Sequence, residues 1–193
     1  MLKSSFHPNL LEAGLDEAGR GCLAGPVVAA AVILPLNYTH SWLNDSKQLS
    51  PSQRENLREE ITRDALAWAV GEASCTEIDQ INILNATFLA MHRAIEGLVL
   101  RPEHLLVDGN RFKAYPLIPH TCIVRGDAQY LAIAAASVLA KTHRDAHMQR
   151  LAAEYPRYDW ASNVGYPTLT HQRALCEHGP TRHHRRSFRL DYL

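Results

Sequence analysis

Between Val27 and Leu34 the chain carries eight consecutive apolar residues, and few folds accommodate such a segment. The run is too short to cross a bilayer, and apolar and polar residues do not alternate along it, so both of its faces must be buried. A strand inside a sheet that is covered on both sides meets this requirement. A shorter strand, over residues 11–15, is predicted just before it.

Two adjacent carboxylates, Asp16 and Glu17, lie between the predicted strands together with several glycines. Carboxylates beside a buried sheet are costly unless a cation or water compensates their charge, so Arg20 or a metal ion would be a suitable partner. The alternative is that the pair ends a strand and begins a solvated turn. Taken alone, this stretch favours the turn.

The glycines of this segment do not match the common nucleotide-binding loops. Gly14, Gly19 and Arg20 imitate the spacing of a P-loop, but the Lys that is followed by Ser or Thr is missing. A dinucleotide-binding fingerprint fails as well, because no third glycine follows Gly19 and Gly21 at the required spacing. Both classes of nucleotide cofactor are therefore excluded.

The composition describes a globular protein with one core. The 193 residues, of which 46% are hydrophobic, suffice for one domain. The sequence shows no apolar leader and no apolar segment of membrane length, so we expect a cytoplasmic location. Four cysteines lie far apart without a CxxC pair, which argues against a disulfide framework or a zinc site. Lys plus Arg (20) equals Asp plus Glu (20), so any affinity for nucleic acid must be local.

One local concentration of basic residues lies near the C-terminus, where Arg182, Arg185, Arg186 and Arg189 accompany several histidines. Such a cluster can contact phosphates. A charged, solvated tail explains the same residues equally well. The sequence leaves both interpretations open.

The remaining segments predict a sheet with helices between its strands. Ser50 and Gln53 form the capping box of one helix, and Asp127 is a candidate N-cap for a long helix rich in small residues. A short capped helix over 76–82 precedes a longer one, whose apolar stripe from Leu84 to Leu98 is assigned to the core. Further strands are predicted over 66–73, 104–107 and 121–124, and a last helix from about 170 to 178.

Asp108 follows a predicted strand, as Asp16 does. Ligands of α/β sheets collect outside the carboxyl ends of strands, so these two carboxylates would meet if their strands are neighbours, although a simple turn is equally consistent with Asp108. On the long helix, Ser137, Lys141 and Asp145 recur every four residues. Lys141 and Asp145 predict a helical ion pair, unless Asp145 projects toward the other acids.

Eight segments resemble, in order, the ribonuclease HII family, the prokaryotic type 2 ribonucleases H. They are GLDEAGRGCLAGPVVAAAV, LNDSKQLS, IDQINILNATFLAM, LLVDGN, RGDA, AAASVLAKTHRD, GYPT and HHRRSF. One such motif would be weak, but eight in register over almost the whole chain leave little room for coincidence. The resemblance raises the acidic-cluster interpretation above the turn and ion-pair alternatives.

The resemblance implies a ribonuclease H-like α/β fold, with a five-stranded mixed sheet of three antiparallel strands followed by parallel ones, and helices on both faces. We expect residues 1–155 to form the catalytic core. Residues 156–193 are expected to form a helical and basic extension packed on that core, within a single ribonuclease HII domain.

The family gathers acidic residues around divalent metal, and the matching positions here are Asp16, Glu17, Asp108 and Asp145. Mg²⁺ and Mn²⁺ prefer oxygen ligands, and two such ions with substrate bound can activate a water and stabilise the leaving oxygen. The resemblance thus implies a metal-dependent endonuclease that leaves 3′-hydroxyl and 5′-phosphate ends. Asp16 and Asp108 would be the central ligands, and Asp145 the most mobile one.

The family's specificity concerns the ribose. It cleaves the RNA strand of RNA–DNA hybrids and nicks on the 5′ side of single ribonucleotides in duplex DNA, which begins their removal. By resemblance, backbone groups of Gly19, Arg20 and Gly21 read the 2′-hydroxyl, and Tyr166 stacks on the adjacent deoxyribose at the junction. Without the resemblance, Tyr166 would be interpreted as a buried residue of an aromatic loop.

Further phosphate contacts are predicted by position at Ser46, Lys47, Arg125, Ser137 and Lys141. The chain departs from the family pattern at Arg125, where Lys is usual, and at Val164, where a basic residue is common. The change at Val164 removes a positive charge and predicts weaker binding of the nucleic-acid strand. His171, His183 and His184 match family positions and are interpreted as structural or phosphate-facing.

Two other functions remain to be weighed. A junction resolvase or transposase-like enzyme of the same fold would share the acids, but it would not need the 19–21 glycine segment or Tyr166. A non-catalytic hybrid-binding module would gain nothing from carboxylates that repel phosphate. We therefore expect a monomeric nuclease that binds RNA–DNA hybrids and ribonucleotide-containing duplex DNA, with no membrane association and no obligate protein partner.

Overall fold

The computed structural model describes residues 2–43 and 50–188, and its centre is a five-stranded sheet in the order β3-β2-β1-β4-β5. The strands are β1 (Glu12–Ala18), β2 (Val27–Ile33), β3 (Ala67–Ala73), β4 (His104–Asp108) and β5 (His120–Ile123). β2 pairs antiparallel with β1 and β3, whereas β4 runs parallel to β1 and β5. The predicted mixed sheet is confirmed.

Helices cover both faces of this sheet. They are α1 (Pro51–Asp64), α2 (Cys75–Glu96), α3 (Leu131–Glu154), α4 (Trp160–Asn163) and α5 (Leu169–His178). α2 packs on one face, and α1 and α3 pack on the other. Among residues 2–43 and 50–188, no helix has the length and apolar character needed to cross a bilayer.

β2 confirms the strand expected from the apolar run, because all of its residues are buried. Its side chains alternate between the two faces, as the period of a strand requires. Ala29 and Ala31 pack with α2, whereas Ala30 and Val32 pack with α3. The absence of polar residues in this segment follows from its two buried faces.

β1 is longer than predicted. It continues to Ala18, so that Asp16 and Glu17 are strand residues paired with Ala30 and Ala29 of β2, and not the start of a turn. The antiparallel partner supplies the backbone hydrogen bonds that extend the strand, and this pairing is not visible in the local sequence. The correction matters for function, because adjacent strand residues point to opposite faces of the sheet.

Of two predicted helix starts, one is confirmed and the other is wrong. α1 begins with the predicted capping box of Ser50 and Gln53. Asp127 is not the N-cap of the long helix, which begins at Leu131 after a 3₁₀ turn over Gly126–Ala128. The turn moves the start of the helix past Asp127, and Tyr130 occupies the cap position without a side-chain hydrogen bond.

α2 contains the two helical segments that the sequence predicts. The backbone of Asn82 leaves the helical conformation (φ 64°, ψ 163°), and its Oδ1 accepts a hydrogen bond from the amide of Asn85 at 3.1 Å. Asn82 thus caps the second segment, while Ser74 and Glu77 form a capping box for the first. The break lets the helix change direction above the sheet.

The C-terminal residues pack closely against the sheet and α3. Trp160 and Leu175 share a buried apolar cluster with Leu23 and Met148. The backbone around His184 also forms an antiparallel bridge to the segment that precedes β2. These contacts join both parts of the chain in one buried cluster, and the division into a core of residues 1–155 and an extension of residues 156–193 stays a prediction.

Candidate active site

Three carboxylates meet at the carboxyl ends of β1 and β4. The parallel register aligns Leu15 with Val107, so that Asp16 and Asp108 follow at matching positions on adjacent strands. Glu17 is the next residue of β1. Because these groups repel one another, the charges of Glu17 and Asp108 both raise the pKa of Asp16.

The alternation of strand side chains distributes these acids over two faces. Asp16 faces α3, where the hydroxyl of Ser137 hydrogen-bonds its carboxylate. Glu17 shares the α2 face with Leu15, which packs in the α2-side core. Both carboxylates lie close enough to Asp108 for its charge to raise their pKa values.

Asp16 is buried to an extent unusual for a carboxylate, with 6% of its surface exposed. Burial is the largest cause that raises its pKa well above the ordinary value, followed by the charges of Glu17 and Asp108. Its Oδ1 accepts the amide hydrogen of Glu17 at 2.6 Å. Burial also raises the pKa of Glu17, although Arg20 at 3.1 Å opposes the shift.

The other two acids already have hydrogen-bond donors. The Oδ1 of Asp108 accepts the backbone amide of Gly126 at 2.7 Å, which ties β4 to the 3₁₀ turn. The Oδ1 of Asp145 accepts from the ammonium of Lys141 at 2.8 Å. The helical ion pair predicted on α3 is therefore confirmed.

Within the described ranges, no set of three or more His, Cys, Asp and Glu side chains is arranged so that it could hold a metal ion alone. The donor chemistry nevertheless fits a hard divalent cation, because buried carboxylates with raised pKa values gain from a neighbouring positive charge. Mg²⁺ in particular is commonly held by one or two carboxylates with water and substrate phosphate. Asp16 and Asp108 suit that arrangement better than a closed protein cage.

A tight turn follows β1 directly beside the acids. The carbonyl of Gly19 accepts the amide hydrogen of Cys22, which places Arg20 and Gly21 at the tip. Gly19 is required by the fold, since its φ is +91° and a Cβ would lie 2.0 Å from the Nε of Arg144. Gly21 has no positive φ, and a Cβ there would meet no atom within 4 Å. The fold does not require glycine at position 21, and the space above it is open.

Two clefts adjoin the acids. The cleft that we call the turn cleft is lined by Glu17, the 19–21 turn, Arg54, Ser137, Lys141 and Tyr166. The α2 cleft is lined by Glu17, Leu84, Phe88, Met91, Asp108 and Arg111, among others. Glu17 and Arg20 line both clefts, which therefore adjoin each other at these two residues.

Tyr166 lies at the rim of the turn cleft with 40% of its surface exposed. The ammonium of Lys141 lies 5.9 Å from the centre of its ring. The interpretation as a buried aromatic residue is therefore wrong. An exposed ring beside a cation is suited to stacking on a sugar or base near a phosphate.

The other predicted contacts have different outcomes. Ser46 and Lys47 lie outside the described residues. Arg125 is exposed and adopts a left-handed conformation (φ 56°) before the 3₁₀ turn, and it does not line either cleft. Val164 presents its carbonyl to Arg144 at 2.8 Å. His184 is buried, which favours the structural interpretation over the phosphate-facing one.

Several residues of the site escaped the sequence analysis. Arg54 and Arg111 line the two clefts, although nothing in their local sequence marks them. The prediction that the α2 stripe lies wholly in the core is wrong for Leu84 and Phe88, which are partly buried and line the α2 cleft. Arg185 is fully buried, so neither interpretation of the basic tail holds for it.

Comparison with known proteins shows the family of this chain. The family model described as "Ribonuclease HII" matches residues 13–192. The chain is 62% identical over 190 residues to ribonuclease HII of Bacteroides fragilis (strain YCH46), covering 98% of this chain and 94% of that protein. It also resembles the crystal structure of ribonuclease H2 from Pyrococcus horikoshii OT3, with a TM-score of 0.78, 25% identity, and coverage of 93% and 94%. Bst-RNase HIII in complex with Mn²⁺ shares the fold, with a TM-score of 0.71 at 18% identity and coverage of 94% and 68%.

Proposed function

This chain belongs to the ribonuclease HII family, and we propose that it nicks duplex DNA on the 5′ side of single embedded ribonucleotides. As a family member it is a ribonuclease H, a nuclease that hydrolyses RNA in RNA–DNA hybrids. The proposal adds the junction specificity, the metal and the residues that carry each role.

One observation carries the proposal. The 19–21 turn lies directly after the acidic residues of β1, so a backbone segment open to a ligand adjoins a cluster of buried carboxylates. A 2′-hydroxyl is both donor and acceptor, and a backbone turn can recognise it without reading the base. A ribose held at Gly21 would therefore place its neighbouring phosphate beside Asp16 and Asp108.

We assign the cation-binding role to Asp16, Asp108 and Glu17, with Asp145 joining when Lys141 releases it. The chemistry that Mg²⁺ or Mn²⁺ supplies when bound is the activation of a water and the stabilisation of the leaving oxygen in an in-line displacement. The carboxylates fix the position of this charge, and the products would carry 3′-hydroxyl and 5′-phosphate ends. A pair of ions with substrate bound is part of the proposal.

The remaining residues of the turn cleft would position the strand. Lys141 and Arg54 offer positive charge to phosphates, and Ser137 offers a hydroxyl beside Asp16. Tyr166 would stack on the deoxyribose that follows the ribonucleotide, since its ring is exposed at the rim. Arg125 remains a prediction, since it lines neither cleft, and Ser46 and Lys47 remain predictions outside the described residues.

The test is cleavage of a duplex that carries one ribonucleotide in one DNA strand, with Mg²⁺, Mn²⁺ or chelator, mapped to the nucleotide. We expect a metal-dependent nick immediately 5′ of the ribonucleotide, and no nick from the Asp108→Asn variant. Cutting of uniform hybrids without this nick would retain the ribonuclease and remove the junction roles of the 19–21 turn and Tyr166. Cleavage restricted to all-DNA junctions would favour a resolvase-like enzyme. Tight binding of the hybrid without turnover would favour a non-catalytic binding module.

The wider setting of the enzyme is also proposed. The nick would begin removal of misincorporated ribonucleotides from DNA, and the protein would act as a monomer in the cytoplasm. The relatives that support the family assignment are bacterial proteins such as that of Bacteroides fragilis. Cell fractionation and light scattering of the purified protein would test these two points.

A further inference from the structure

The side chain of Arg185 is fully buried beneath the 19–21 turn. Its guanidinium donates hydrogen bonds to the carbonyls of Gly19 at 2.7 Å and Arg20 at 2.8 Å. It also donates to the carbonyls of Gly25 and Pro26, at distances from 2.9 to 3.2 Å. In these contacts the buried guanidinium hydrogen-bonds only backbone carbonyls of the segment that joins β1 to β2.

These contacts also determine where the backbone amides on the opposite side of the turn point. In a trans peptide the carbonyl and the amide N–H point in opposite directions. Because the carbonyls of Gly19 and Arg20 point toward Arg185, the amide hydrogens of Arg20 and Gly21 point away from it. These are the two residues at the tip of the turn, which lines the turn cleft.

The positive charge of Arg185 also favours amide donors that face the cleft. Burial lowers its pKa to about 10, so the guanidinium stays protonated at neutral pH. A cation beside the carbonyl end of a peptide polarises the group and strengthens the N–H at the other end as a donor. Both effects favour an acceptor oxygen in the cleft, above Arg20 and Gly21.

Arg185 is itself held from two sides. Its backbone amide donates to the carbonyl of Leu23 at 2.9 Å, beside the bridge between Ala24 and His184. The carboxylate of Asp79 accepts the amides of Arg186 and Ser187 at 3.0 and 2.9 Å. The C-terminal segment is therefore fixed on both flanks of Arg185, as the support of an accurately placed side chain requires.

We propose that Arg185 is a positioning residue for ribose discrimination, which holds the Gly19 and Arg20 carbonyls toward the core and thereby directs the Arg20 and Gly21 amides at the 2′-hydroxyl. The inference rests on the proposed function, in which this turn reads the ribose. It gives the C-terminal extension a part in specificity without any contact to substrate.

Arg144 provides a matched control. It is also buried and donates to backbone carbonyls, those of Ala24, Pro26 and Val164, at 2.8 to 3.0 Å. Its side chain also packs against Gly19, but in these contacts it donates to neither the Gly19 nor the Arg20 carbonyl, so it separates packing beneath the turn from the hydrogen bonds that direct the turn. Lysine at either position keeps the charge but cannot reproduce the planar fork of donors, so Arg→Lys disturbs both supports comparably.

The experiment measures the dissociation constants of two duplexes in chelator, so that nothing is cleaved. One duplex carries a single ribonucleotide, and the other is the same sequence in DNA alone. We expect the wild type to prefer the first duplex, and Arg185→Lys to reduce that preference at least about fivefold while binding of the DNA duplex changes less than about twofold. Arg144→Lys should lower thermal stability but keep the preference within about twofold.

A purely structural role would weaken the binding of both duplexes equally, and this result in a folded Arg185→Lys variant would overturn the inference. If that variant fails to fold, Asp79→Asn replaces it, since it loosens the C-terminal segment and keeps the guanidinium, and it must also reduce the preference. A wild type that does not nick at a ribonucleotide refutes the proposed function. A wild type that nicks there but shows no binding preference refutes only the role of Arg185.

Discussion

The ammonium of Lys141 lies 2.8 Å from Oδ1 of Asp145, one helical turn further along α3. Both side chains are partly exposed, and Lys141 also lines the turn cleft. The ion pair gives Asp145 a counter-charge when no metal is bound. A cation that recruits Asp145 must compete with this ammonium.

Removal of the competing charge should therefore lower the metal requirement. In Lys141→Met we expect the Mg²⁺ concentration for half-maximal cleavage to fall about two- to fivefold, which corresponds to a partly exposed ion pair of about 0.5–1 kcal/mol. The measurement is a Mg²⁺ titration at saturating substrate, because Lys141 is also a predicted phosphate contact. Arg58→Met, which removes a comparable ion pair to Glu55 on α1, should leave the titration unchanged. An unchanged or higher requirement in Lys141→Met would separate Asp145 from the metal.

Substitution of Asp16 should change activity and stability in opposite directions. Burial and the charges of Glu17 and Asp108 disfavour the ionised form of Asp16. Asp16→Asn removes that charge at nearly constant volume, so we expect it to abolish cleavage and to raise the free energy of unfolding by about 1–2 kcal/mol in chelator at neutral pH. Thermal denaturation with and without Mg²⁺ is the measurement. Mg²⁺ should stabilise the wild type more than the variant.

Glu12 offers a control on the same strand. It is also buried, but its carboxylate accepts the backbone amides of Phe6 and His7, both at 2.8 Å. Glu12→Gln exchanges an acceptor for a donor at one of these amides and should therefore destabilise the protein in chelator. Equal effects of Asp16→Asn and Glu12→Gln would show that charge repulsion at the acidic cluster is not the cause.

The two glycines of the turn should respond differently to alanine. Gly19→Ala places a side chain against Arg144 at a positive φ, so it should destabilise the fold by more than about 1 kcal/mol. Gly21→Ala meets nothing within 4 Å and should leave the melting temperature nearly unchanged. If substrate approaches the backbone at Gly21, the same methyl group should raise KM for the single-ribonucleotide duplex at least about tenfold. Normal kinetics in Gly21→Ala would show that this space is not used by substrate.

Local sequence predicted the elements whose determinants are local. The capping box of Ser50 and Gln53 and the two segments of α2 depend on residues within one or two turns, and both appear in the structure. The extent of β1 depends on its pairing with β2, so Asp16 and Glu17 were placed in a turn. Asp127 failed as a cap for the same reason, because the 3₁₀ turn is tied to β4 through Asp108.

The site itself shows the same division. Taken separately, the motifs favour a turn for Asp16 and leave Asp108 and Asp145 open, and only the resemblance of the whole set favours a nuclease. Contacts between residues that are distant in sequence have no local pattern that could predict them. Arg185 reaches Gly19 across 166 residues of sequence, and no local pattern distinguishes it from its exposed neighbour Arg186.

A buried histidine pair near Tyr166 leads to the last prediction. The Nε2 atoms of His171 and His184 lie 3.1 Å apart, and the indole N–H of Trp160 donates to the same nitrogen of His171. The amide of Thr181 donates to Nδ1 of His184 at 2.9 Å. The carbonyl of Tyr166 lies 2.9 Å from Nδ1 of His171. Each ring nitrogen thus has a partner when both imidazoles are neutral, with His171 protonated at Nδ1 and His184 at Nε2.

Protonation of either ring would place two donors face to face, so this cluster should make the protein sensitive to acid. Burial and the neighbouring histidines His171 and His183 lower the pKa of His184 from 6.5 to about 4. The unfolded chain binds a proton at this residue below about pH 6.5 and the folded chain does not, so stability is present above that pH and is lost as the pH falls toward 4. Between pH 7 and pH 4.5 the loss of unfolding free energy from this residue should be about 2–3 kcal/mol.

The His184→Gln variant tests this prediction. Gln keeps an acceptor for Thr181 and a donor for His171, so the variant should be less stable than the wild type at pH 7 but lose less stability on acidification. Urea unfolding at several pH values measures the difference, and parallel pH profiles of the two proteins would show that His184 is not the group responsible.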